Sequence, residues 1–139
     1  MASTAKYSAV KAALAEAAAP LRVYDFEEVD AAAKNSGQPF LALVETGGIE
    51  TLVSVGAPEA ACFRETGVFE IHVFTQARDG YQPARLIVDQ LRDALRRRSF
   101  AGVRVIDLSP PLPLGAYSGL WNETFTELNA EHDFIAAVA

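Results

Sequence analysis

The clearest periodicity lies between residues 64 and 105. From Val68 to Gln76 the pattern alternates: Phe69, Ile71, Val73 and Thr75 share one side, and Val68, Glu70, His72, Phe74 and Gln76 the other. One side is apolar or β-branched and the other mixed, as in a strand with one face in a core. Asp79-Gly80 breaks the run, and Pro83 suits a first helical turn, where a missing N–H costs nothing. The period then changes from 2 to 3.6. Ala84, Ile87, Val88, Leu91 and Leu95 form one buried stripe, with Arg85, Asp89, Arg92, Asp93 and Arg96 opposite. Arg96-Arg97-Arg98 puts positive charge at the helix C-terminus, where the macrodipole favours it. Gly102 turns the chain into a second strand over residues 103–108.

The rest is read around this strand–helix–strand unit. A first helix starts at a Ser3 or Thr4 cap and ends at Pro20, with Tyr7, Val10, Leu14 and Ala17 or Ala18 as its stripe. Residues 21–26 predict a short strand, and 27–38 an irregular or partly helical connection ending at Asn35-Ser36-Gly37. Strands are expected over 39–45 and 49–55, with a turn at Thr46-Gly47-Gly48, followed by a loop over 56–67. Residues 109–119 (SPPLPLGAYSG) carry three prolines and two glycines, which predicts an extended loop without ladder bonds. Residues 120–128 and 132–138 are strand-like pieces separated or bulged at Asn129-Ala130. This order predicts a single α+β domain over residues 1–139, a mixed or antiparallel β-sheet with two helices packed on one face. The second face, bearing Val68 and Phe74, and the apolar residues Leu112 and Leu114 are then expected to be covered by another subunit.

Composition narrows the function. With 139 residues and 22% charged, the chain is an ordinary globular length, and no apolar run approaches the roughly 20 residues that cross a bilayer. Lys6, Lys11 and Glu16 interrupt the alanine-rich start, so it does not read as a secretion signal. A single cysteine, Cys62, excludes an internal disulfide and a cysteine metal cluster. A net charge of −6 argues against a nucleic-acid-binding surface.

Candidate chemistry is thin, and no cofactor, metal or catalytic site is expected. His72 and His132 sit on separate strands and Cys62 in a loop; a Cys–His pair is weighed against the plainer reading of a small packed cysteine. His72, beside Glu70, reads as a solvated or interface histidine rather than a metal ligand. Gly47-Gly48 is too short for a phosphate loop. Asp89 and Asp93 could share a cation, but among Arg85, Arg92 and Arg96 they read as salt-bridge partners. Arg96-Arg97-Arg98 could touch phosphate, but reads better as a solvated helix end. The residues favour an interaction protein over an enzyme.

A resemblance gives this more content. Gly67, Val68, Gly80, Ala84, Val88, Asp89, Leu91, Leu95, Phe100, Gly102 and Val103 mark out a Gly-led strand, a Gly turn, a helix and a Gly-Val strand. This arrangement resembles the core of the tail terminator proteins of long-tailed (siphovirus-type) phages, the group that includes the minor tail protein U of lambda-like phages. The likeness runs from about Pro39 to Phe134, while residues 23–34 depart from the family's pattern.

It implies a structural role without catalysis or cofactor. Such a protein forms a homo-hexameric ring on the head-proximal end of the tail tube, stops tube polymerisation and meets the head connector or stopper protein. DNA passes through the ring without specific binding, no membrane is involved, and the protein resides in the virion or a phage-derived particle. A neighbouring role in head–tail joining or tail completion is the nearest alternative, and a small cytoplasmic enzyme or ligand-binding domain using His72 and Cys62 a more distant one. Subunit contacts are expected at Arg85, Asp89, Arg92 and Arg96 on the helix, at Leu112, Leu114 and Tyr117 in the Pro-rich loop, and in the loop after Gly47-Gly48.

Overall fold

A computed structural model describes residues 2–54, 62–100, 102–117 and 119–135. Its elements in chain order are α1 (Ala2–Ala18), β1 (Val23–Asp25), α2 (Val29–Asn35), β2 (Phe40–Ser54), β3 (Cys62–Gln76), α3 (Gln82–Leu95), β4 (Ser99–Phe100), β5 (Val103–Leu108), β6 (Leu112–Tyr117) and β7 (Trp121–Ile135). They make an α+β fold around one mixed sheet of order β1-β2-β3-β7-β5-β4, with β6 also paired to β7. Among the described residues only β1 and β2 run parallel, and the crossover between them carries α2.

The alternation around β3 places side chains as its period requires. Phe69, Ile71 and Val73 enter a core built with Leu41 and Leu43 of β2, Leu128 and Ala130 of β7, and the buried stripes of both long helices. Val10, Leu14 and Ala18 come from α1, and Ala84, Val88, Leu91 and Leu95 from α3. The two helices therefore lie on the same face, and Gln90 of α3 donates to the Ala17 carbonyl of α1 at 3.2 Å.

The second face holds a smaller core at one end. Phe40, Ala42, Phe74 and Trp121 meet Val29 and Ala32 of α2, and the Trp121 indole donates to the Ala33 carbonyl at 3.1 Å. Phe74 is thus buried by its own chain rather than left for a neighbour. Residues 27–38 are partly helical because α2 is needed there as a lid.

Four segments differ from their sequence reading. Thr46-Gly47-Gly48 is not a turn: β2 runs straight through, with a register shift between Glu45 and Gly47. The glycines are explained by crowding, since a Cβ at Gly48 would stand 2.2 Å from the Thr66 carbonyl oxygen. Residues 62–67, expected as loop, begin β3.

Asn129-Ala130 does not interrupt β7, which pairs with β3 over fifteen consecutive residues; the irregularity is in β5, between Val105 and Asp107. Residues 112–117 are strand, not loop. Pro110 and Pro111 occupy the step from β5 to β6, where no ladder donor is required, and β6 is an edge that tolerates Pro113.

Candidate functional site

Strands β5 and β6 share the same side of β7. β5 pairs with residues 128–132 and β6 with residues 121–125. Ser109 anchors the step between them. Its amide donates to the Glu127 carbonyl at 2.9 Å, and its carbonyl accepts from the Thr126 hydroxyl at 2.5 Å. Beyond it β6 pairs with β7 alone among the described residues, which leave its other edge open. Leu112 is 53% exposed and Leu114 48%, and Leu120, in the turn after β6, is 73% exposed.

Tyr117 behaves otherwise. Its ring packs edge-on against Phe74 at 5.2 Å, and its hydroxyl donates to Asp30. It pins β6 onto the second-face core, so the segment is part leucine display and part internal tie.

On α3 the polar face is solvent-exposed at Arg85, Asp89 and Arg96. Arg92 is half-buried and donates from Nε to the Leu108 carbonyl at 3.3 Å, with Asp89 4.0 Å from its guanidinium. Arg92 therefore joins α3 to β5, whereas Arg85 and Arg96 remain outward. The structure brings the leucines of β6 together but holds the α3 arginines apart from them, since α3 lies on the first face of the sheet.

His72 is neither solvated nor poised for chemistry. It is 6% exposed, with Nδ1 2.7 Å from Glu123 and Nε2 3.0 Å from Glu70. Phe26 lies over the ring at 4.6 Å, and Phe125 stacks on it at 5.9 Å. Both nitrogens are engaged, which leaves none for a substrate or metal in this geometry. Cys62 does not approach it: the two belong to one unbroken strand, ten residues apart, or about 33 Å at the usual rise. His132 faces the Gly102 carbonyl at 3.1 Å.

The sequence reading missed Lys6. It falls at i, i+4, i+8 with Val10 and Leu14, so its ammonium is carried into the protein on the apolar stripe of α1. There it is 1% exposed, 2.5 Å from Glu65 and 3.0 Å from Glu45. Phe69 places its ring centroid 5.8 Å from Nζ. Gly67 makes the room, since a Cβ there would stand 2.6 Å from Nζ. The cleft beside it, about 500 Å³, is lined by this trio with Thr46, Gly47, Gly48 and Ile49.

A second polar tie holds α1 to β1. Tyr7 donates to Asp25, which also takes Lys11 at 3.0 Å. Burial, then the Asp25 hydrogen bond, push the Tyr7 phenol above its ordinary range, while the bonds from Tyr7 and Lys11 hold the Asp25 carboxyl below its own. These clusters bind the chain to itself. The apolar surface at β6, by contrast, is turned outward.

No protein-family model and no curated protein matches the sequence. One solved structure, of a protein whose name describes no activity, is similar over 98% of this chain and 99% of its own, at a TM-score of 0.62 and 18% identity. At that identity the likeness shows the fold alone.

Proposed function

We propose that the chain is a tail terminator of a phage or phage-derived particle. In this reading it caps the head-proximal end of the tail tube as a hexameric ring, stops tube polymerisation and forms the joint to the head connector. The observation that carries the reading is the open edge of β6, with Leu112 and Leu114 about half exposed and Leu120 beside them. Apolar side chains on an unpaired strand edge gain from a neighbour what a lone subunit leaves in water. Its prolines, with φ already fixed, lose less entropy on docking than a Gly/Ser loop would. The sequence resemblance supplies the kind of assembly, and a net charge of −6 suits a ring through which DNA passes without adhering.

Replacing Leu112 and Leu114 together by Ser is the test. Both project from an edge, so circular dichroism and the urea midpoint stay close to wild type. Ring formation on tail tubes fails, and electron micrographs show tails of uncontrolled length. Intact rings with normal tails overturn the reading. Normal tails that fail to join heads move the role to the neighbouring joint.

A further inference from the structure

The subunit carries opposite charge on opposite sides of its sheet, and on each side part of it has no ionic partner among the described residues. On the first side, α3 ends in Arg96, Arg97 and Arg98, all exposed and without a carboxylate partner among the described residues. On the second side α2 covers only the end near Phe74. The remainder carries Glu70, Glu123, Glu127 and Asp107, and at its far end Glu131, which pairs with Arg64 and Arg104 on the same face. Glu70 and Glu127 are cross-strand partners on the same face, a like-charge pairing that destabilises a sheet. Glu70 and Glu123 share His72, and Asp107 accepts from Asn129 at 2.9 Å, but the Glu127 carboxylate has no partner among the described residues. Phe26 and Ile106, 40% and 43% exposed, add apolar area to this face.

We infer that the arginine-tipped end of α3 in one copy seats on the acidic, uncovered part of the sheet in the next copy. This rests on the ring-forming reading above and deepens it by naming the two surfaces that meet. A second copy is the occupant the charges favour, because every chain carries both the basic helix end and the acidic face. Phosphate fits less well: the arginines lie at a helix C-terminus, whose dipole repels anions, on a chain of net charge −6. The contact joins two different faces. It is therefore heterologous, and its repetition closes a ring where the rotation between copies divides a full turn. The arginine fork gives the contact its orientation, and the exposed Phe26 and Ile106 give it an apolar centre.

Charge exchange tests this on the full chain. One variant carries Arg96→Glu and Arg98→Glu, the other Asp107→Lys and Glu127→Lys; all four positions are exposed, so the fold read by circular dichroism stays wild type. By native mass spectrometry and sedimentation, wild type assembles at about 50 mM salt and dissociates towards about 500 mM as the charges are screened. Each variant alone runs as a single chain, its half-assembly concentration raised at least about tenfold. An equimolar mixture recovers assembly, because each variant then meets its complement, and the ring alternates between them. The milder pair Arg96→Gln with Arg98→Gln, and Asp107→Asn with Glu127→Gln, weakens assembly by a smaller factor; mixing them restores pairs through the one intact contact but not the ring, whose other contacts stay neutral.

A wild type that stays monomeric at low salt, variants that keep the wild-type mass, or a mixture that stays single-chain overturns the inference. Rings that persist in both variants overturn this contact and leave the terminator reading standing. Rings built by this contact that leave tube length uncontrolled overturn the terminator reading and leave the contact standing.

Discussion

The two faces of the sheet are built to different rules. The first is closed: two long helices lay continuous apolar stripes on it, and its charged intruder, Lys6, is buried between two carboxylates. The second is closed only near Phe74 by the seven-residue α2; beyond that it is held by polar ties, with His72 clasped between Glu70 and Glu123. A face covered by helices depends on stripe and volume. A face covered by a short lid depends on a few aromatic contacts and on side chains that bond across strands. The second arrangement leaves part of the sheet itself uncovered, and the first buries it under helices.

The largest effects test whether both faces are cores. Phe74→Ala removes a fully buried ring stacked on Phe40 at 4.8 Å and should cost about 3–5 kcal/mol. Leu91→Ala on the first face should cost about 2–5 kcal/mol. Urea melts check both; a loss at Phe74 well below that at Leu91 would mean that α2 does not close a real core.

Lys6→Met sharpens the contrast next. It leaves Glu45 and Glu65 facing each other without their cation, but both retain some water, so a loss of about 1–3 kcal/mol is expected. A variant as stable as wild type would reduce the buried ammonium to a spectator.

The smallest effect sets one tyrosine on each face. The hydrogen bond to Asp30, then burial, push the Tyr117 phenol up to about 12, and Tyr7 is raised as well. In the unfolded chain a tyrosine ionises near pH 10. The stabilisation from Tyr117 is therefore complete below about pH 10 and is lost as pH rises to about 12. Tyr117→Phe should flatten the fall in urea midpoint over that window, leaving the slope due to Tyr7. Identical slopes in variant and wild type would show that the Asp30 bond does not persist in solution.

Sequence periodicity revealed the first face well and the second poorly, for physical reasons. Ala84, Val88, Leu91 and Leu95 repeat over three turns, so burial leaves a regular trace. α2 contributes buried Val29 and Ala32 and half-buried Ala33 to its core, too few positions to show a period. Gly47-Gly48 reads as a turn from local preference, but the pairing of β2 with β3 is long-range and uses those glycines for close approach. Pro113 reads as a strand breaker, yet the open side of β6 does not need its missing donor. Lys6 reads as an interruption of an alanine run because its charge masks its position on the stripe. The proposed contact leucines were legible as apolar residues in a Pro-rich segment. Tyr117 looked the same from sequence, and only its partners Asp30 and Phe74, both remote along the chain, set it apart.

The fifteen unbroken rungs between β3 and β7 have a mechanical consequence. They span about 48 Å at roughly 3.4 Å per residue, with β2 paired alongside through a single bulge near mid-length and a second near its end. Tension applied along these strands would load all the rungs in shear together instead of peeling them one at a time. On this geometry β3 and β7 should separate only when many rungs fail at once, so the pair resists tension along its length far better than a pull across one end.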